Sequence, residues 1–190
     1  MINSSLKRAV AVAILAGASV GANATTTDLG TVSFGAPTTF TGSILGGVQS
    51  FSDIFTFSLS EPNASSGYSV VNFPLNIPEL GSFGTVLATL SLVSYGTDGL
   101  RGTTDDQVLK STVLPSAGNT SDHLSLSWDQ PLTGPAYLNI TGVTSGSLGG
   151  LYSGSISVTP VPEPEAYAML LAGLGLMGAV VRRRSMRKTS

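Results

Sequence analysis

Cysteine is absent from this 190-residue chain, which excludes disulfides and thiolate metal sites. Charge is scarce as well. Only 11% of residues are charged, where soluble domains usually carry roughly 25%. The apolar share is 42%, so glycine, serine and threonine have taken the places that charges normally hold. Histidine occurs once, as His123. A histidine-based zinc site needs further ligands, so no metal site is expected. Ser121 and Asp122 precede His123, but triad members must converge in space rather than adjoin in sequence. No G-x-S-x-G elbow occurs in residues 25–160. No catalytic residue and no cofactor is therefore assigned, and a non-enzyme is expected. Paired carboxylates of the kind that hydrolyse glycosides stay open as an alternative, because any two acids of the body can converge.

Bases are nearly missing from the middle of the chain. Between Thr25 and Pro160 only Arg101 and Lys110 face nine acids: Asp28, Asp53, Glu61, Glu79, Asp98, Asp105, Asp106, Asp122 and Asp129. An acidic body repels phosphates, which excludes nucleic acid as a partner. The remaining bases sit at the two ends. Lys7 and Arg8 precede a small and apolar run from Ala9 to Ala22, and Ala22-Asn23-Ala24 supplies the small-x-small pattern that signal peptidase requires. Residues 1–24 are therefore expected to be a signal peptide cut after Ala24, with signal peptidase and the general secretion machinery as partners.

At the other end the run Ala166–Val181 carries no charge and is followed by Arg182, Arg183, Arg184, Arg187 and Lys188. Sixteen helical residues cover about 24 Å at 1.5 Å each, somewhat short of the ~30 Å hydrocarbon core. With the arginine stems reaching the interface, a transmembrane helix over about 166–181 is expected. The basic cluster would stay cytoplasmic and leave the body outside. Ahead of the run stand Pro162, Glu163 and Pro164. Proline fixes φ and disfavours helix in the residue before it, so 161–164 is expected to be extended and outside the helix. On local chemistry this stretch reads either as a stiff spacer or as a handle for a protease that binds extended chains.

Pro-Glu-Pro, an apolar helix containing LLAGLGLMG and a terminal arginine cluster together resemble the PEP-CTERM sorting signal. The resemblance implies recognition of Pro162, Glu163 and Pro164 by an exosortase-type membrane protease. It also implies a Gram-negative type of bacterium whose exported proteins are associated with extracellular polysaccharide. It covers about the last thirty residues and implies nothing about the body.

The body, residues 25–160, shows no repeat and no helical periodicity. It consists of short β-branched and aromatic segments punctuated by Gly, Pro, Asn and Asp. Strands are expected over 38–45, 51–60, 68–77, 84–95, 107–114, 123–128, 136–141 and 152–159. In His-Leu-Ser-Leu-Ser-Trp the apolar residues Leu124, Leu126 and Trp128 alternate with polar ones. The fold class is all-β, a single β-sandwich or jelly-roll-like domain.

In FSDIFTFSLS, period two puts Asp53 on one face with Phe51, Phe55, Phe57 and Leu59. A buried carboxylate must find donors or a cation. Three roles stay open for Asp53: accepting backbone N–H groups, binding Ca²⁺, and catalysis. Phe51-Ser52-Asp53-Ile54-Phe55 also resembles the FxDxF group of PEP-CTERM proteins, which would make Phe51, Asp53 and Phe55 a family motif.

The oxygen-rich loop 96–107 carries Asp98, Asp105 and Asp106 without EF-hand spacing, so a solvated turn is expected. Tyr68, Tyr95, Tyr137 and Tyr152 are candidates for an exposed sugar-binding surface. The sequons at Asn63, Asn119 and Asn139 are read as chance. The functional expectation is an exported surface or matrix protein, structural or associated with exopolysaccharide. A carbohydrate-binding module is the alternative, and a glycan-active enzyme the more distant one.

Overall fold

The computed structural model describes residues 23–59, 63–160 and 164–186. The chain divides into two compact units, Met1–Thr159 and Pro160–Ser190. The first is built from strands: β1 (Thr26–Val32), β2 (Thr38–Leu45), β3 (Ser50–Leu59), β4 (Asn63–Asn72), β5 (Leu75–Ile77), β6 (Gly81–Phe83), β7 (Thr85–Ser94), β8 (Gln107–Val113), β9 (His123–Trp128), β10 (Ala136–Thr144) and β11 (Gly149–Pro160).

They form two sheets. The first runs β1-β3-β10-β7-β8, and the second runs β5-β6-β11-β4-β9 with β2 paired along β11. Pairing is antiparallel for β3–β10, β10–β7 and β7–β8, and for β2–β11 and β4–β9. At the edge of the first sheet, β1 runs parallel to β3. One apolar cluster takes residues from both sheets, which makes the unit a two-layered sandwich. Phe51, Phe55, Phe57, Leu87, Leu90, Leu92, Leu138 and Ile140 come from the first sheet. Phe40, Ile44, Tyr68, Val70, Leu124, Leu126, Tyr152 and Ile156 come from the second.

Every second residue points into this core, and the residues between carry the hydroxyls. On the outer side, neighbouring strands are linked by side chains: Thr89 with Thr141 at 2.6 Å, Ser91 with Ser111 at 2.7 Å, and Ser69 with Ser155 at 2.9 Å. Cross-strand hydroxyl pairs do here what opposite charges do on more charged sheets. That is how a body so poor in charge keeps polar outer faces.

Several strand expectations need correction. The expected strand over 68–77 is two strands, β4 and β5, and β4 begins at Asn63. β1 and β6 were not expected. β1 is exposed along most of its length, so burial imposes little alternation on it. β6 has only three residues.

The second unit contains one helix, α1 (Pro164–Met186). Its start corrects the expectation that Pro164 stands outside the helix. At the first helical position the missing N–H is one that has no intrahelical partner anyway, and the fixed φ is already helical. The expected transmembrane helix over 166–181 also needs correction. Among the described residues no helix is long and apolar enough to cross a membrane. The uncharged stretch of α1 is confined between Glu165 and Arg182 and contains Gly173, Gly175 and Gly178. Its described side chains, Ala168 to Ala179, are exposed.

Candidate functional site

β3 alternates strictly, and this places Asp53 inward between Phe51 and Phe55 with 1% of its surface exposed. Its carboxylate is held by three donors. The Thr25 backbone N–H donates to Oδ1 at 3.1 Å, and the Thr25 hydroxyl donates to the same oxygen at 2.6 Å. The Tyr152 hydroxyl, on β11 of the opposite sheet, donates to Oδ2 at 2.5 Å. Asp53 therefore ties the segment preceding β1 and the second sheet to the middle of the first. Burial raises the Tyr152 hydroxyl pKa far above its ordinary value, and the hydrogen bond to Asp53 and its charge add to this. The proton stays on the tyrosine, and the phenol acts as a donor.

Three rings wall the carboxylate. Phe51 stacks on Tyr152 with centroids 5.5 Å apart, and Phe55 meets Tyr152 edge-on at 6.3 Å. Phe40 lies 4.3 Å from Phe55. Space for them comes from glycines on the neighbouring strand. Tyr152 pairs across the ladder with Gly42, and Phe40 pairs with Gly154. A Cβ at either glycine would overlap the ring of its partner.

Of the three roles open for Asp53, the geometry matches acceptance of donors. Its two oxygens take three donor hydrogens, one from an N–H and two from hydroxyls. Among the described residues no group of three or more His, Cys, Asp or Glu side chains could hold a metal ion.

Loop 96–106 is organised in the same way. Asp105 accepts from the Thr97 and Asp98 N–H groups and from the Thr97 and Thr103 hydroxyls. Asp106 accepts from Gly102 N–H and from the Tyr137 hydroxyl at 3.2 Å. The Thr103 hydroxyl, then the two N–H groups, hold the Asp105 carboxyl below the usual carboxylate range. These aspartates build the loop.

The four tyrosines are not one exposed surface. Tyr68 and Tyr152 are buried in the core. Tyr95 and Tyr137 are half-buried and in edge contact at 5.8 Å. Half-buried Trp128 lines a groove of about 340 Å³ with Gln107, Gln130, Thr97 and Thr133. Its indole N–H is buried and without a partner. His123 is half-buried at the start of β9. Asn119 and Asn139 are engaged in the fold: Asn119 accepts from the Ser125 N–H, and Asn139 accepts from the Ser52 hydroxyl.

Of the expected tail residues, Pro164, Arg182, Arg183 and Arg184 lie in α1. Pro162, Glu163, Arg187 and Lys188 lie outside the described residues, as do residues 1–22 of the expected signal peptide. Sequence reasoning missed Thr25 and Tyr152 as the partners of Asp53. They stand 28 and 99 residues from it, and no local pattern reports a pairing of that range.

No curated protein matches the chain. Among solved structures, the pre-peptidase C-terminal domain of collagenase from Bacillus anthracis is similar over 72% of this chain and 96% of that one. The identity is 16% and the TM-score 0.36. Residues 160–184 match the PEP-CTERM protein-sorting motif, which spans the expected recognition residues, the apolar helix and the first three arginines of the tail.

Proposed function

We propose that the chain is an exported protein, cut by signal peptidase after Ala24 and held at the inner membrane by its C-terminal tail with the body outside. An exosortase-type membrane protease then reads Pro162, Glu163 and Pro164 and passes the body to the cell surface or matrix. The observation that carries this reading is the sorting-motif match over residues 160–184. It is supported by a tail that forms a compact unit separate from the strand-built body. The test replaces Pro162, Glu163 and Pro164 together by alanine in cells that contain the protease. The expected result is a full-length protein retained with the membrane. Shortening and release at the normal rate would contradict the reading.

The body serves as a non-enzymatic structural component associated with extracellular polysaccharide. Its outer faces offer hydroxyls and few charges, a chemistry suited to neutral glycans and to a crowded matrix. Phe51, Asp53 and Phe55 act as a structural motif, as an FxDxF-type relationship would have it. A second reading, direct glycan binding, is favoured by the groove that Trp128 lines together with Gln107, Gln130, Thr97 and Thr133. Trp128 is the sole tryptophan of the chain. Its fluorescence should therefore change saturably on addition of the organism's own exopolysaccharide if this reading holds, and stay constant if the body is purely structural.

A further inference from the structure

The buried Asp53 carboxylate draws two of its three donors from Thr25, and Thr25 is the residue that cleavage after Ala24 would leave at the front of the chain. We propose that Asp53 is the binding site for the α-ammonium group of the processed chain, so that removal of the leader completes the fold. The inference rests on the export reading and deepens it by giving the cleavage a structural consequence.

Hydrolysis of the Ala24–Thr25 peptide bond consumes one water, leaves a carboxylate on Ala24 and leaves the amine on Thr25, protonated at neutral pH. The nitrogen need not move. It already lies 3.1 Å from Asp53 Oδ1. Thr25 is anchored independently, because its carbonyl accepts from the Ile54 N–H at 2.8 Å and its hydroxyl holds Oδ1 at 2.6 Å. Before cleavage the buried charge of Asp53 faces neutral donors: an amide N–H and two hydroxyls. After cleavage the amide is replaced by an ammonium with three donor hydrogens, and charge-assisted bonds of this kind are roughly twice as strong as neutral ones. A buried carboxylate gains most from such a change, since its charge is expensive when uncompensated.

Cleavage also removes contacts. Asn23 accepts from the Ser52 N–H at 2.8 Å, donates its own N–H to Ser50 and holds Gln49 through its side chain. Asn23 and Thr25 are both exposed, whereas Asp53 is buried. The new pair therefore sets an ammonium at the surface against a carboxylate that solvent does not reach, which screens it less than a pair of two exposed groups, and the lost bonds are those of an exposed residue. The precursor is then the looser form and the processed chain the tighter one, which suits a protein that must stay unfolded until it is translocated.

Mild periodate provides the test. It splits the Cα–Cβ bond of an amino-terminal threonine through the adjacent amine and hydroxyl, the two groups that Asp53 holds. The processed chain, tail included, is isolated from cells lacking the exosortase, and its intact mass identifies the first residue. A first residue other than Thr25 overturns the cleavage reading and with it the natural occurrence of the pair. With Thr25 first, oxidation of the native chain should be at least tenfold slower than that of the urea-unfolded chain. Equal rates overturn the inference while leaving the cleavage reading intact. A second comparison uses two chains released from an amino-terminal fusion, one starting at Thr25 and one at Ala24. The longer chain should melt about 2–4 °C lower, and Asp53→Asn should abolish the gap. Equal melting of the two chains overturns the inference. If the Asp53→Asn chain does not fold, the periodate comparison decides alone.

Discussion

Asp53 holds an unusual position for a carboxylate: 1% exposed, on a strand face otherwise made of Phe51, Phe55 and Phe57. Its value to the fold lies in the donors it satisfies. Asp53→Ala leaves the Thr25 N–H and the Tyr152 hydroxyl without their acceptor and should cost on the order of 1–3 kcal/mol in urea unfolding. Tyr152→Phe removes one donor and keeps the ring stacked on Phe51, so its cost should be smaller, about 1 kcal/mol. Both losses should be the same in calcium and in chelator, because a metal stabilises only a site that binds it. A wild-type melting temperature that falls on chelation, with Asp53→Asn unaffected, would show that a cation occupies the site. That Asp53 faces inward was legible from period two alone. The identity of its donors was not, because Thr25 and Tyr152 reach it through the parallel β1–β3 arrangement and across the sandwich. Both depend on tertiary packing that strand periodicity does not encode.

β2 and β11 show a pairing rule that the sequence held without disclosing. Phe40 lies over Gly154 and Tyr152 over Gly42, each ring occupying the space above the glycine opposite. Glycine inside a strand is ordinarily a weakness, but here it makes room for aromatic packing at the centre of the core. Gly154→Ala should force the Phe40 ring aside and destabilise the body by about 1–3 kcal/mol in thermal or urea melts. Phe40→Leu added to Gly154→Ala should cost less than the two single losses combined, since the smaller side chain relieves the overlap with the ring, while the new Cβ still meets the Ser69 carbonyl at 2.7 Å. Additive losses would mean that the ring and the glycine do not share that space. Strands with strict alternation and turn residues at both ends, β2 and β9, were readable to the residue. β1 was not, because an exposed edge strand paired on one side has no apolar stripe to mark it. Pro164 was misplaced because the rule against proline inside helices does not apply at a helix's first position.

The whole molecule joins a charge-poor sandwich to a charged, apolar tail, and its pH response should follow from a few groups in the body. The Gly30 N–H, then the Thr56 hydroxyl, lower the Asp28 pKa, and the bonds within loop 96–106 lower that of Asp105. Burial raises the Tyr68 hydroxyl from 10.0 to about 12 and raises Tyr152 further. The two aspartates bind protons more weakly when folded. Their stabilisation is present above the unfolded carboxylate value near 4 and is lost as pH falls below it. The two tyrosines hold protons more tightly when folded. Their share is intact below about pH 10 and is lost as pH rises towards 12. In a chain that keeps the residues before Thr25, the melting temperature should therefore be level from roughly pH 5 to 9, with a shallow acid limb because both aspartates are exposed, and a steeper alkaline limb because both tyrosines are buried. In the processed chain the Thr25 ammonium adds stability that is lost as pH rises above its unfolded value of about 8. A melting temperature that holds through pH 11 would contradict this assignment. Delivery, by contrast, should depend on the tail and not on the sandwich at all, because the sorting-motif match begins at Pro160, where the last strand ends. The most direct measurement transplants residues 160–190 onto an unrelated exported passenger protein and follows it in paired strains with and without the exosortase. The passenger should be shortened and released where the protease is present, and should stay full-length with the membrane where it is absent. Identical size and location in the two strains would contradict the assignment of the tail as a self-sufficient sorting signal.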